Sequence, residues 1–72
     1  MNGNEFRGTV KKYMELRGIN SFKLLLEDGM LGSFPTFKKK WQSPEQFTIF
    51  EIDYLITKLN VRADDRKILK GE

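Results

Sequence analysis

A chain of 72 residues with neither cysteine nor histidine has to fold by packing alone, and it lacks the residues that build most zinc sites and activate most nucleophiles. An enzyme is therefore not expected, nor a cofactor or a metal; no apolar run approaches the ~18 residues of a membrane helix, and MNGNEFRG is not a leader-like start, so the sequence reads as cytoplasmic. Of the net charge of +3, residues 31–50 carry +2, residues 1–30 carry +1 and residues 51–72 carry none, which centres the excess on GSFPTFKKKW, residues 32–41.

The chain predicts a string of short helices, with no internal repeat and no linker, and hence one domain over residues 1–72. In the first helix Phe6, Val10, Tyr13 and Met14 recur at the helical period. Its stop signal is Arg17-Gly18-Ile19, where Gly18 can turn left-handed and Ile19 can fold back toward Met14. Asn20 is then a candidate N-cap for a second helix, SFKLLLED, with Leu24, Leu25 and Leu26 as its inward face and Gly29 beyond its end. A third helix is predicted from near Ser33 to Trp41 or Gln42, with Pro35 in its first turn, where a missing N–H does no harm.

The fourth helix has the firmest boundary. Thr48 and Glu51 have capping-box spacing, Phe47 and Ile52 sit where a hydrophobic staple closes, and Ile52, Leu55, Ile56 and Leu59 form a stripe ending at Asn60-Val61. A last short helix is expected from Asp64 to Leu69, its two aspartates at the positive end.

The stretch Gly18-Ile19-Asn20-Ser21-Phe22-Lys23-Leu24-Leu25-Leu26-Glu27-Asp28-Gly29 resembles the first half of the helix-turn-helix of the lambda-repressor-like family, which includes the phage Cro and CI proteins. There a capped helix carries an apolar residue, then a small one, with a glycine four positions later; Leu24, Leu25 and Gly29 hold those places. FTIFEIDYLITKLNV, residues 47–61, is similar to the capped helix that follows the family's recognition helix, down to Leu59-Asn60-Val61. Two departures are visible. Leu25 stands where alanine is usual, and the eight steps from Gly29 to Phe37 are two more than the family commonly has.

The resemblance implies an all-α bundle of four to five short helices containing a helix-turn-helix with an elongated turn. It also implies a Cro-like phage transcriptional regulator of a lysis/lysogeny-type switch, binding double-stranded operator DNA as a homodimer through the third helix. At about 100° per residue, Phe34, Phe37 and Trp41 share one face of that helix, Thr36 and Lys39 point the opposite way, and Lys38 and Lys40 flank the apolar stripe. Thr36 and Lys39 are then the base-contact candidates, Lys38, Lys40 and Gln42 suit phosphates, Ser33 adds a hydroxyl at the helix start, and Ser21 could hold a further phosphate.

A lysine run is equally what a solvated helix face looks like, and the helical spacing of the aromatics already explains them as core. Met30, Leu31 and Phe34 in the long turn are candidates for a protein interface or for closing the core. Ile68 and Leu69 are candidates for a dimer contact or for capping it. The alternative function is an anti-repressor that uses the scaffold to bind a phage repressor protein, offering Glu45, Glu51, Asp53, Asp64 and Asp65 to the partner's basic surface.

Overall fold

In a computed structural model describing residues 2–72, five α-helices and one 3₁₀ turn follow one another, with no strand among the described residues: an all-α bundle. Helix α1 (Gly3–Leu16) begins on Asn2, whose side-chain oxygen accepts from the amides of Asn4 (2.9 Å) and Glu5 (3.2 Å). It ends as its stop signal predicts. Gly18 has φ +72°, its amide donates to the Glu15 carbonyl, and the Ile19 amide reaches back to the Met14 carbonyl at 2.8 Å.

Helix α4 (Ile49–Leu59) has both halves of its capping box: the Glu51 amide donates to Thr48 Oγ1 at 3.1 Å, and the Thr48 amide donates to Glu51 Oε1 at 2.9 Å. Phe47 and Ile52 are both buried, as a staple requires. Asn60 takes the left-handed position after the last turn (φ 49°), one of the few non-glycine residues that tolerates it. Helix α5 (Ala63–Lys70) packs on α1 and α4, and the fully buried Phe6, Val10, Tyr13, Leu55, Leu59, Val61 and Leu69 fill the space among the three.

The second helix differs from its expected form. Helix α2 is a single turn, Phe22–Leu25, capped by Ser21 rather than Asn20, with the Leu24 amide donating to Ser21 Oγ at 3.3 Å. Of the three leucines expected to face inward, Leu25 is fully buried, Leu26 is half-buried and Leu24 is exposed. The inward residue the leucine run hides is Phe22, whose ring lies 5.1 Å from Phe37 and 5.0 Å from Trp41.

A connector of residues 26–33 then leads to helix α3 (Phe34–Gln42), turning at Gly29 (φ +77°), a conformation a side chain would strain. Pro35 sits in the first turn of α3, and Ser33 occupies the N-cap position without a side-chain capping bond. The 3₁₀ turn Pro44–Gln46 joins α3 to α4. Phe6, Phe22, Phe37, Trp41 and Phe47 form one network of ring contacts, with centroids 5.0–6.4 Å apart, which ties α2 and α3 to α1. Phe22 meets Phe37 and Trp41 across the contact between α2 and α3, and Leu25, where a small residue is usual in the resembled pattern, is fully buried.

Candidate functional site

Helix α3 presents Thr36, Lys38 and Lys39 to solvent, with Ser33 and Gln42 exposed at its two ends. Most of these groups have partners within the chain. The Ser33 hydroxyl donates to Thr36 Oγ1 at 3.1 Å, and Lys38 Nζ lies 5.9 Å from the centroid of the Phe34 ring. Lys40 is half-buried and donates to both carboxylate oxygens of Glu51, at 2.8 and 2.9 Å, so this phosphate candidate is instead a tie between α3 and the start of α4. Lys39 has no ion pair among the described residues. Ser21 caps α2, and a one-turn helix supplies little of the dipole that would draw a phosphate to it.

Much of the remaining basic charge is structural. Arg7 donates to the carbonyls of Trp41 (3.0 Å) and Gln42 (3.4 Å) at the end of α3. Arg17 does the same for α4, through Nε to Leu59 (2.7 Å) and Nη2 to Asn60 (2.9 Å). In each case a guanidinium on α1 satisfies orphan carbonyls at the negative end of another helix. Arg66 bonds the Val61 carbonyl, Lys12 pairs with Asp65, and Lys58 pairs with Asp28.

The carboxylates these groups engage titrate low. Glu51 is pushed up by burial, but donation from Lys40 and Thr48 outweighs this and holds it below the ordinary 4.5. Asp65 is held below 3.8 chiefly by the Tyr13 hydroxyl, helped by Lys12, and Asp28 chiefly by the Met30 amide, helped by Lys58. Of the five acidic groups a partner could use, Glu51 and Asp65 are thus committed internally, leaving Glu45, Asp53 and Asp64 exposed and unpaired among the described residues.

The apolar candidates divide. Met30 (63 % exposed) and Phe34 (51 %) face solvent, whereas Leu31 (1 %) and Leu69 (0 %) lie in the core, so of their two expected roles the packing one holds and the interface one is corrected. Leu31 turns into the core from the connector beside the exposed Met30, and Leu69 lies on α5, which packs on α1 and α4. Ile68 is half-buried on α5. Phe34, expected beside Phe37 and Trp41 on the inner face, is instead the first residue of α3 and extends past the core.

Two residues escaped the sequence reading altogether. Ile49 and Phe50, in the first turn of α4, are 82 % and 87 % exposed, the most exposed large apolar side chains described. Ile49 shares the register of the buried stripe, three residues before Ile52, but lies one turn beyond the end of the core. Phe50 carried a usable signal: an aromatic ring on the otherwise polar face that includes Asp53 and Thr57.

Two grooves flank Phe22. One, of about 440 Å³, runs along Met14, Ile19 and Asn20; the other, of about 740 Å³, runs along Lys23, Leu26 and Phe34. No protein family, curated protein or solved structure matches the chain. Among the described residues no three His, Cys, Asp or Glu side chains are grouped to hold a metal ion, and no helix is long and apolar enough to cross a membrane.

Proposed function

We propose that the protein is an anti-repressor-type modulator, acting in the cytoplasm of a bacterial host by binding a phage repressor protein and blocking or altering its hold on operator DNA. One observation carries this reading: beside a third helix that has Lys40 tied to Glu51, large apolar side chains stand in solvent, Met30 and Phe34 before and within α3 and Ile49 and Phe50 beyond it. A phosphate backbone offers such side chains little. A protein surface buries them, at roughly 25 cal/mol for each Å² removed from water. The small net charge of +3 points the same way, because duplex affinity is dominated by phosphate neutralisation.

The second reading is direct, Cro-like operator binding as a dimer. It is favoured by Thr36, Lys38 and Lys39, which share the outward side of α3, Thr36 and Lys39 being suited to base edges and Lys38 and Gln42 to phosphates.

One titration separates the two. The protein is mixed with operator DNA from its own regulatory region, with and without the repressor encoded beside it. The modulator reading expects no retardation of DNA by the protein alone at low salt, and a stoichiometric protein complex that changes operator occupancy by the repressor. Retardation by the protein alone, weakening with salt at a log-log slope of about −0.9 per phosphate neutralised, with no complex to the repressor, makes the Cro-like reading the correct one.

A further inference from the structure

The geometry points to the first turn of α4 as the docking anchor, with Ile49 and Phe50 entering an apolar pocket rimmed by lysine and arginine on a DNA-binding partner. The inference rests on the protein-binding reading above and adds the surface and its chemistry. Adjacent side chains of this size, exposed at 82 % and 87 %, are more than the scattered apolar residues any surface carries.

The turn that holds them is fixed from three sides. Its capping box is complete, Phe47 is buried against the core just before it, and Lys40 clamps Glu51 at 2.8 Å from the neighbouring helix. Anchors already held in place lose little freedom on binding, so more of their burial appears as affinity.

Charge selects the occupant. Asp53 lies one turn along from Ile49 and Phe50, and Glu45 precedes them in the 3₁₀ turn; both are exposed and unpaired among the described residues. Lys40, the cation tied to this turn, is neutralised by Glu51. The anchors therefore have an unpaired carboxylate on either side of them along the chain, Glu45 before and Asp53 after, which disfavours phosphates and favours a basic face such as a DNA-binding protein keeps for its operator. The grooves beside Phe22 give no such choice, since each rim carries one lysine and one glutamate, Lys11 and Glu15 in one and Lys23 and Glu27 in the other. A second copy could offer Lys38 and Lys39 around its own Phe34, a head-to-tail contact that the test below detects.

Binding of the full-length chain to the repressor encoded beside it is measured by titration calorimetry and stopped flow for the wild type, Ile49→Ser/Phe50→Ser, Glu45→Gln/Asp53→Asn and Lys38→Ala/Lys39→Ala, with circular dichroism confirming the fold of each. The apolar double variant is expected to weaken binding by about 100-fold or more. The acidic double variant should slow association by roughly tenfold at low salt and flatten its salt dependence, and the lysine variant should stay within about threefold. Wild-type binding that persists within about threefold in Ile49→Ser/Phe50→Ser overturns the docking site and leaves the modulator reading standing. No binding by the wild type overturns both. Self-association in sedimentation that Ile49→Ser/Phe50→Ser abolishes, with repressor binding unchanged, assigns the anchors to a second copy and overturns the inference.

Discussion

The half of the molecule built from α1, α4 and α5 and the half built from α2, the connector and α3 are held by different means. In the first, regular helices end on identifiable motifs: a glycine-terminated turn at Gly18, a left-handed Asn60, a capping box at Thr48, and a guanidinium from Arg17 on the last carbonyls of α4. In the second, one helix is a single turn capped by Ser21, the N-cap serine of α3 makes no capping bond, Arg7 holds the last carbonyls of α3, and five aromatic rings add cohesion. Hydrogen-bonded ends fix a helix individually, whereas ring packing fixes α2 and α3 only while their neighbours are in place. The half held by rings is also where Leu24, Met30 and Phe34 reach solvent.

Removing one ring tests that contrast most severely. Phe37 is fully buried and touches Phe22, Trp41 and Phe47, so Phe37→Ala should lower stability by about 3–5 kcal/mol, close to what a domain of this size possesses. Leu69→Ala, in the other half, should cost about 2–5 kcal/mol. Urea unfolding gives both numbers, and amide exchange distinguishes their reach. Phe37→Ala should expose α2 and α3 to exchange before α4, and equal loss of protection in both halves would mean that the division has no energetic reality.

What could be read from the residues alone does not follow that division. Periodicity and end signals are local, so the stop of α1, both ends of α3 and α4, and α5 to within a residue at each end were legible. The length of α2 was not, because the leucine run Leu24-Leu25-Leu26 fits a longer helix, while Phe22 closes the turn through contacts with Phe37 and Trp41 fifteen and nineteen residues away. Lys40 was legible as a cation on α3 but not as the partner of Glu51, a pairing that only the angle between α3 and α4 creates. Ile49 was hidden for a related reason: register says which way a side chain points along its helix, not where the core ends.

A smaller effect is expected within the well-capped half, where Arg17, just past the end of α1, reaches the end of α4. Arg17→Ala removes donors from two carbonyls of α4 and should cost about 1–2 kcal/mol, read from the urea midpoint. Arg17→Lys should recover less than half of that, since an ammonium cannot present the guanidinium fork to Leu59 and Asn60 together. Full recovery by lysine would reduce the role of Arg17 to charge at a helix end, and the two halves would then differ less in their hydrogen bonding than in their packing.

The ion pair joining α3 to α4 gives the smallest and most diagnostic effect, because it bridges the halves. Glu51 is held below 4.5 in the folded protein, so its ionised form favours folding; that contribution is fully present above the unfolded value and is lost as pH falls through the lower folded one. Glu51→Gln keeps an oxygen for the Thr48 amide but loses the attraction to Lys40, whose side chain is 23 % exposed beside a carboxylate at 12 %. The variant should therefore be less stable than wild type by about 1 kcal/mol at pH 7, with the gap closing as pH falls below 4.5 and Glu51 itself becomes neutral. Thr48→Ala should lose about 1 kcal/mol at pH 7 and keep most of that loss in acid, since the bond from the Glu51 amide to the N-cap hydroxyl does not titrate and only the hydroxyl's smaller support of the Glu51 carboxylate does. A Glu51→Gln gap that persists unchanged into acid would mean that Lys40 contributes nothing through charge, and the clamp that holds Ile49 and Phe50 in place would then rest on the capping box and the Phe47 staple.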